Sequence, residues 1–249
     1  MTKMVEQNSA VGAHTVEFNV RNLKMIFFDI DETLMNHKLA LTNAAKKFYK
    51  QFAELSSLYN EASFPDIWNE ITENVMQLFF QKKISYQEQR RLRLRKIFQK
   101  EIVDKEADEM FNYYLKFYKK NWTLFDDVIP CLDYFSDKKL GIISNGDKNQ
   151  QRKKLRDLDI FDRFKIVTIS TDINVHKPHK ELFYHACKLA NEKVENCFYI
   201  GDNFEIDIIG ANNAGMKGIW LNRINCKTVD KDIIQINSLN ELKNKINLK

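Results

Sequence analysis

Hydrophobic and polar positions along this chain change rhythm twice. From Lys24, a short apolar run, Met25 to Phe28, stops abruptly at two carboxylates one residue apart, Asp29 and Asp31. The run predicts a buried strand that delivers acidic groups at its C-terminal end. Side chains alternate along a strand, so the two aspartates start on one face with Ile30 opposite. From about residue 37 to 124 a helical period takes over. Leu41, Ala45, Phe48, Phe52, Leu55 and Tyr59 recur at steps of three and four, which is one face of a helix. Pro65 opens a second helix, with Ile67, Ile71, Val75 and Leu78 on one stripe. Ser85 is placed to cap a third, running to about Phe98, and Asp104 a fourth, with Met110, Tyr114, Phe117 and Tyr118 inward.

After Phe125 strands and helices alternate. The pattern predicts a helix from Val128 to Phe135, a strand from Leu140 to Ser144 and a charged helix from about Gln150 to Leu158. A strand at Ile166 to Ile169 follows, then a helix from about Glu181 to Ala190 behind Lys177-Pro178. The last pairs are a strand at Cys197 to Ile200 with a helix from Ile206 to Ala214, and a strand at Gly218 to Leu221. Ser238 and Glu241 form a capping box before Leu239, Leu242 and Ile246. Alternation of this kind implies a parallel sheet with right-handed crossovers. The expectation is an α/β fold with a Rossmann-like parallel sheet, helices on both faces, and an all-helical insertion. The division that follows is a leader at 1–23, a sheet unit from 24–36 and 125–249, and the helical unit at 37–124. Within the leader, Val16, Phe18 and Val20 alternate as a short edge strand would.

Composition narrows the class. The 249 residues are 44% apolar and 29% charged, which fits a globular chain and excludes a disordered or collagen-like one. No apolar run reaches the length needed to cross a bilayer, and residues 1–23 lack the apolar core of a secretory signal. Cys131, Cys187, Cys197 and Cys226 show no zinc spacing, so free thiols in a reducing, cytoplasmic setting are expected. A net charge of +5 favours anionic substrates without requiring a nucleic-acid partner.

Chemistry gathers at the strand ends. Asp29 and Asp31 end the first strand, Ser144 and Asn145 the second, and Asp202 another, while Lys177 sits in the loop before a helix. Each has a plain structural use. Ser-Asn-Gly makes a good turn, and Asp202 or Asp207 is placed to cap a helix. Their shared position is what argues for a site, because ligands in such sheets bind outside the carboxyl ends of the strands. Asp29, Asp31 and Asp202 suit a hard, oxygen-ligated divalent ion, with Mg2+ the best fit. Lys177 adds positive charge and Ser144 a hydroxyl donor. A carboxylate in such a cradle can attack phosphorus, and a second one can move the proton.

In these residues the chain resembles the haloacid dehalogenase superfamily of phosphohydrolases. Asp-Ile-Asp-Glu-Thr-Leu (29–34) looks like the first family motif, Ser144-Asn145 the second, Lys177 the third, and Gly-Asp-Asn-Phe-Glu-Ile-Asp (201–207) the fourth. The resemblance implies roles. Asp29 would be the nucleophile and a magnesium ligand. Asp31 would be the general acid/base, reaching the metal through its backbone carbonyl. Thr33 would steady the loop, and Ser144 and Asn145 would bind the phosphoryl group. Lys177 would neutralise Asp29 and the phosphoryl oxygens. Asp202 would ligate magnesium directly, and Asp207 through water or as a partner of Lys177. Residues 37–124 would be a C1-type cap. Asp31 favours phosphoryl transfer over carbon–halogen cleavage, since dehalogenase members lack that second aspartate. Size and cap placement look similar to the pyrimidine 5′-nucleotidase and N-acylneuraminate-9-phosphatase branch.

The expected function is therefore a magnesium-dependent phosphatase of small phosphomonoesters, with nucleoside 5′-monophosphates as one candidate. Alternatives are a phosphomutase, a sugar-phosphate phosphatase of the same superfamily, or a phospho-acceptor signalling module. The expected partner is a small phosphorylated metabolite, with no nucleic acid, no membrane, and a monomer or homodimer. The run Arg90, Arg91, Arg93, Arg95 and Lys96 is read as a solvated helix face, with Leu92, Ile97 and Phe98 buried beneath it. Trp68, Tyr86 and Trp122 could stack on a base, though core packing is their commoner use.

Overall fold

A computed structural model describes residues 23–55, 58–226 and 233–246. The alternating segment at Val16–Val20 and the rest of the leader up to residue 22 lie outside the described residues. Six strands form one parallel sheet: β1 (Met25–Phe28), β2 (Lys139–Ser144), β3 (Ile166–Ile169), β4 (Cys197–Gly201), β5 (Lys217–Leu221) and β6 (Ile234–Ile236). Their order is β3-β2-β1-β4-β5-β6. The chain builds outward from β1 to β3, then returns to the other side of β1 with β4. That reversal leaves a crevice above the carboxyl ends of β1, β2 and β4, where ligands bind in such sheets. The edge strand β6 escaped the sequence pattern because Ile-Gln-Ile is too short to show a period.

The two faces of the sheet follow from alternation along β1. Ile26 and Phe28 belong to one buried cluster, Met25 and Phe27 to another. Between β1 and β2 lie α1 (His37–Phe52), α2 (Phe64–Phe80), α3 (Tyr86–Phe98) and α4 (Asp104–Lys120), followed by α5 (Val128–Tyr134). After β2 come α6 (Lys148–Asp157), α7 (Ser170–Ile173), α8 (Lys180–Ala190), α9 (Gly210–Asn213) and α10 (Leu242–Lys245). Leu132 of α5, Leu155 of α6 and Leu242 of α10 pack with Ile26 and Phe28. Leu182, Phe183 and Ala186 of α8 and Ala211 of α9 cover Met25 and Phe27. Helices thus stand on both faces.

The insertion between β1 and β2 has an aromatic centre. Phe48 lies 5.4 Å from Trp68, and Trp68 lies 4.8 Å from Tyr114, centroid to centroid. Trp68 is wholly buried there and is not available to a base. The segments entering and leaving the insertion run side by side. Asn36 N–H donates to Thr123 O at 2.9 Å, and Phe125 N–H to Leu34 O at 3.1 Å.

Local details differ from the sequence pattern for identifiable reasons. Ser85 caps α3, accepting from Glu88 N–H at 3.0 Å. Asp104 does not cap α4; Val103 holds that position, and the Asp104 carboxylate is drawn to Arg91 and Arg95. Neither Asp202 nor Asp207 caps the segment after β4. Asn203 does, accepting from Ile206 N–H at 3.0 Å. A π-type turn, Phe204–Ile209, precedes α9 there. All four cysteines are free, and the Cys187 and Cys197 sulfurs lie 3.5 Å apart as thiols. No helix among the described residues is long and apolar enough to cross a membrane.

Candidate active site

The C-terminal end of β1 places Asp29 at the crevice, 7% exposed, with its N–H bonded to Ile200 O of β4 at 2.9 Å. Lys177 reaches it from the loop before α8, with Nζ 2.9 Å from Asp29 Oδ1. The same ammonium donates to Asp207 Oδ1 at 2.6 Å and to the Tyr199 hydroxyl at 2.8 Å. Tyr199, on β4, donates in turn to Ile143 O of β2 at 2.8 Å. Burial alone would lower the lysine's pKa, but Asp207 and Asp29 more than reverse it and hold the ammonium charged. Gly201 makes the cluster possible, since a Cβ there would collide with the Asp207 carboxylate.

Asp202 completes an acidic group. One carboxylate oxygen from each of Asp29, Asp202 and Asp207 falls within a 4.8 Å cluster. Burial, then the charges of Asp207 and Asp29, push the Asp202 carboxyl up to about 8. Burial also raises Asp29, against the pull of Lys177. Two carboxyls that resist ionisation, one against a third anion, form a donor set that a hard divalent cation relieves. Magnesium fits these residues. Asp207 is the least free of the three, because Lys177 holds Oδ1 and Asn203 N–H donates to Oδ2 at 3.0 Å.

Asp31 has turned to different company. Lys154 Nζ of α6 lies 2.6 Å from its Oδ1, and Gln151 Nε2 donates to Oδ2 at 3.0 Å. His37 Nδ1 stands 3.4 Å from Asp31 Oδ1, and the Tyr118 hydroxyl meets that same ring nitrogen at 2.7 Å. Burial would raise the Asp31 pKa, but Lys154, His37 and Gln151 together hold it well below the usual carboxylate range. The crowding of the two aspartates is therefore eased by a second lysine. Lys154 is 1% exposed. Lys154, Gln151, His37 and Tyr118 were not anticipated. The available signal was on α6, where Gln151 and Lys154 share a stripe with Leu155 and so point inward.

Ser144, Asn145 and Thr33 have contacts of their own. Ser144 Oγ accepts from Gln151 Nε2 at 3.0 Å. The Asn145 amide is engaged with the Lys177 backbone, accepting from its N–H at 2.8 Å and donating to its O at 3.1 Å. It thus fixes the lysine loop against the end of β2. Thr33 is buried, and its hydroxyl meets no partner among the described residues. Its carbonyl, not its hydroxyl, is the tether, accepting from Arg223 Nη2 at 2.8 Å. Arg223 also donates to Glu32 O at 3.3 Å and forms a two-pronged pair with Asp127 at 2.9 Å. Asp127 further accepts from Ser238 Oγ at 2.7 Å and Leu239 N–H at 2.9 Å.

The arginine run divides. Arg91 pairs with Asp104 and Asp108, and Arg95 with Glu88 and Asp104. Arg90 lies 4.4 Å above the Tyr86 ring. Ile97 and Phe98 are buried as expected, but Arg93 and Leu94 turn inward where Leu92 is only half-buried. The run is not a uniformly solvated face.

The acidic cluster has a measurable consequence. A carboxyl whose pKa is higher in the folded state contributes stability that is full below its ordinary value and is lost as pH rises through the folded one. For Asp202 that loss runs from the ordinary 3.8 up to about 8. His37, held down to about 4 chiefly by burial, acts oppositely, and only below its ordinary 6.5. Between pH 6.5 and 8, in chelator, the Tm of the protein is expected to fall more than that of Asp202→Asn. Magnesium is expected to remove the difference. Equal slopes in chelator would mean the carboxylates are not crowded.

A family model described as haloacid dehalogenase-like hydrolase matches residues 23–215. A glyceraldehyde 3-phosphate phosphatase of Methanopyrus kandleri is 30% identical over 206 residues, 81% of this chain and 84% of that protein. The N-acylneuraminate-9-phosphatase of Rattus norvegicus is 30% identical over 121 residues, covering 48% of this chain and about half (49%) of that enzyme. Among solved structures, the magnesium-bound HAD-hydrolase YfnB of Bacillus subtilis superposes with a TM-score of 0.74 at 23% identity, covering 91% of this chain and 99% of that one. A 2-haloacid dehalogenase of Pseudomonas syringae gives 0.68, also at 23%, covering 90% and 98%. The fold is thus shared by enzymes with different chemistry.

Proposed function

The chain belongs to the haloacid dehalogenase-like hydrolases, and on that footing we propose that it is a magnesium-dependent phosphatase of small phosphorylated metabolites, acting through an aspartyl-phosphate. One observation carries this reading. Two aspartates separated by a single residue sit in unlike surroundings: Asp29 against Lys177 and Asp202, Asp31 against Lys154, Gln151 and His37. Asp29 thus faces the acidic group that would hold the metal, and Asp31 faces α6 and the inserted helices, so the two carboxyls are placed for separate work.

A magnesium ion held by Asp29 and Asp202, with Asp207 behind them, would supply positive charge to the phosphoryl oxygens. The remaining steps belong to the chain. Lys177 keeps Asp29 oriented and partly neutralised, so that a phosphate dianion can approach it. An Asp29 oxygen attacks phosphorus, and the bond to the leaving oxygen breaks. Asp31 delivers a proton to that oxygen. It acquires the proton when the incoming dianion disfavours a second anion beside it. In the second half Asp31 accepts a proton from water, the water oxygen attacks phosphorus, and Asp29 is released. Residues 37–124 act in this reading as a cap over the crevice, hinged at the paired segments 34–36 and 123–125.

The relatives' names favour sugar and triose phosphates over nucleoside 5′-monophosphates. The test is a screen of sugar phosphates, acyl-sugar phosphates, nucleoside monophosphates and p-nitrophenyl phosphate with magnesium and with chelator. Free phosphate should be released only with the metal. Isomerised sugar phosphate in place of free phosphate would indicate a phosphomutase. Asp31→Asn is expected to lower turnover by roughly 10²–10⁴-fold, the contribution of a positioned general acid. The deficit should shrink for p-nitrophenyl phosphate, whose leaving group needs no proton. An equal deficit on both esters in the burst of leaving group, which reports the first step alone, would remove the acid role from Asp31.

A further inference from the structure

Arg93 stands apart from every other arginine of its helix. It is 7% exposed, and among the described residues it makes no ion pair and no hydrogen bond; its Nε is buried without a partner. The nearest compensation is the Phe111 ring, 5.5 Å from the guanidinium. A buried charge left unpaired is strongly unfavourable. Carboxylates are available close by, since Asp104, Asp108 and Glu88 serve Arg91 and Arg95. Arg93 faces the other way. Its side of α3 also carries Tyr86, whose hydroxyl donates to Gln150 of α6 at 3.2 Å, and Gln89, whose Oε1 is buried and unpartnered. Across the seam Gln151 Oε1 is likewise unpartnered. Arg93 is close enough to His37 and Tyr118 for its charge to act on both, and His37 touches Asp31. The guanidinium is therefore one side chain removed from the acid that serves the leaving group.

We propose that Arg93 binds a second anionic group, a carboxylate or a second phosphate, on the leaving portion of the substrate. The proposal rests on the phosphatase reading of the site and narrows its substrate class. The phosphoryl group to be cleaved belongs at Asp29 and Lys177, and Asp31 already has Lys154 as a counter-ion. Among the described residues no anion pairs with Arg93, so the missing charge is assigned to the ligand. A planar guanidinium grips either group with two parallel, charge-assisted hydrogen bonds, a match in charge that the hydroxyls of a neutral sugar do not offer.

The experiment compares matched esters with magnesium present. 3-Phosphoglycerate against glycerol 3-phosphate tests the carboxylate, and fructose 1,6-bisphosphate against fructose 6-phosphate tests the second phosphate. In at least one pair the doubly anionic ester is expected to have a kcat/KM about 10–100-fold higher, the range of a charge-assisted pair. Arg93→Met should bring that ratio close to one, chiefly through KM, and Arg93→Lys should restore part of it. Arg91→Met, outside the seam, should keep the ratio. The proposal is overturned by a wild-type ratio near one in both pairs, or by a ratio that survives Arg93→Met. Failure to hydrolyse any ester, p-nitrophenyl phosphate included, would instead overturn the phosphatase reading itself.

Discussion

Asp29→Asn is expected to lower phosphate release by on the order of 10⁴–10⁶-fold, the scale on which removal of a nucleophile acts. An amide cannot form the phosphoryl-enzyme, so no burst of leaving group should accompany the residual rate. The same substitution should not harm the fold. Asp29 is a buried carboxyl whose ionisation is opposed by burial, Asp207 and Asp31, with Lys177 pulling the other way. Asparagine keeps its shape and removes one of three crowded acids. Without metal, Asp29→Asn should melt at or above the wild-type temperature, and the stabilisation that magnesium confers should shrink. Full activity in this variant would end the aspartyl-phosphate mechanism. Lost activity with a large drop in Tm would recast Asp29 as structural.

The second large effect concerns stability. Lys177 has a 2% exposed side chain and holds Asp29 and Asp207 together. Lys177→Met would strand two buried carboxylates, and breaking a buried pair in this way costs about 3–5 kcal/mol. The denaturation midpoint, measured in chelator, should fall accordingly. Asp207→Asn in the same chain should recover part of the loss, because the double variant has one stranded anion fewer. If the two effects simply add, the contacts at 2.6 and 2.9 Å carry no coupling.

Much of this was legible in the sequence, and the exceptions have a common physical origin. Strand and helix periods depend on neighbours in the chain, so β1 to β5 and the four inserted helices could be read from spacing. The aspartates and the Ser-Asn pair were visible because each stands at the end of a strand, and Lys177 because it precedes a proline at a helix entry. What stayed hidden depends on partners far along the chain. Lys154 meets Asp31 across 123 positions, and Arg223 meets Thr33 across 190. A lysine in a charged helix looks like surface until something acidic is placed against it. The same blindness made the arginine run read as one face, although two arginines are paired, one is stacked and Arg93 is buried. Nor could spacing show that the Asn145 amide is engaged with the Lys177 backbone, a contact set by where β2 ends against that loop.

Arg223 sets a boundary for anyone who would cut this protein down. The family match ends at residue 215, and every motif of the candidate site lies before it. Yet the loop bearing Glu32 and Thr33, directly after the two aspartates, is fastened by a residue beyond that point. The fastening continues through Asp127 to Ser238 and Leu239, a further stretch of chain. A fragment trimmed to the matched region would retain each reacting group and lose the brace beneath them. The smallest unit of this enzyme that can be transplanted or fused therefore extends past Leu239, well outside the limits its motifs suggest.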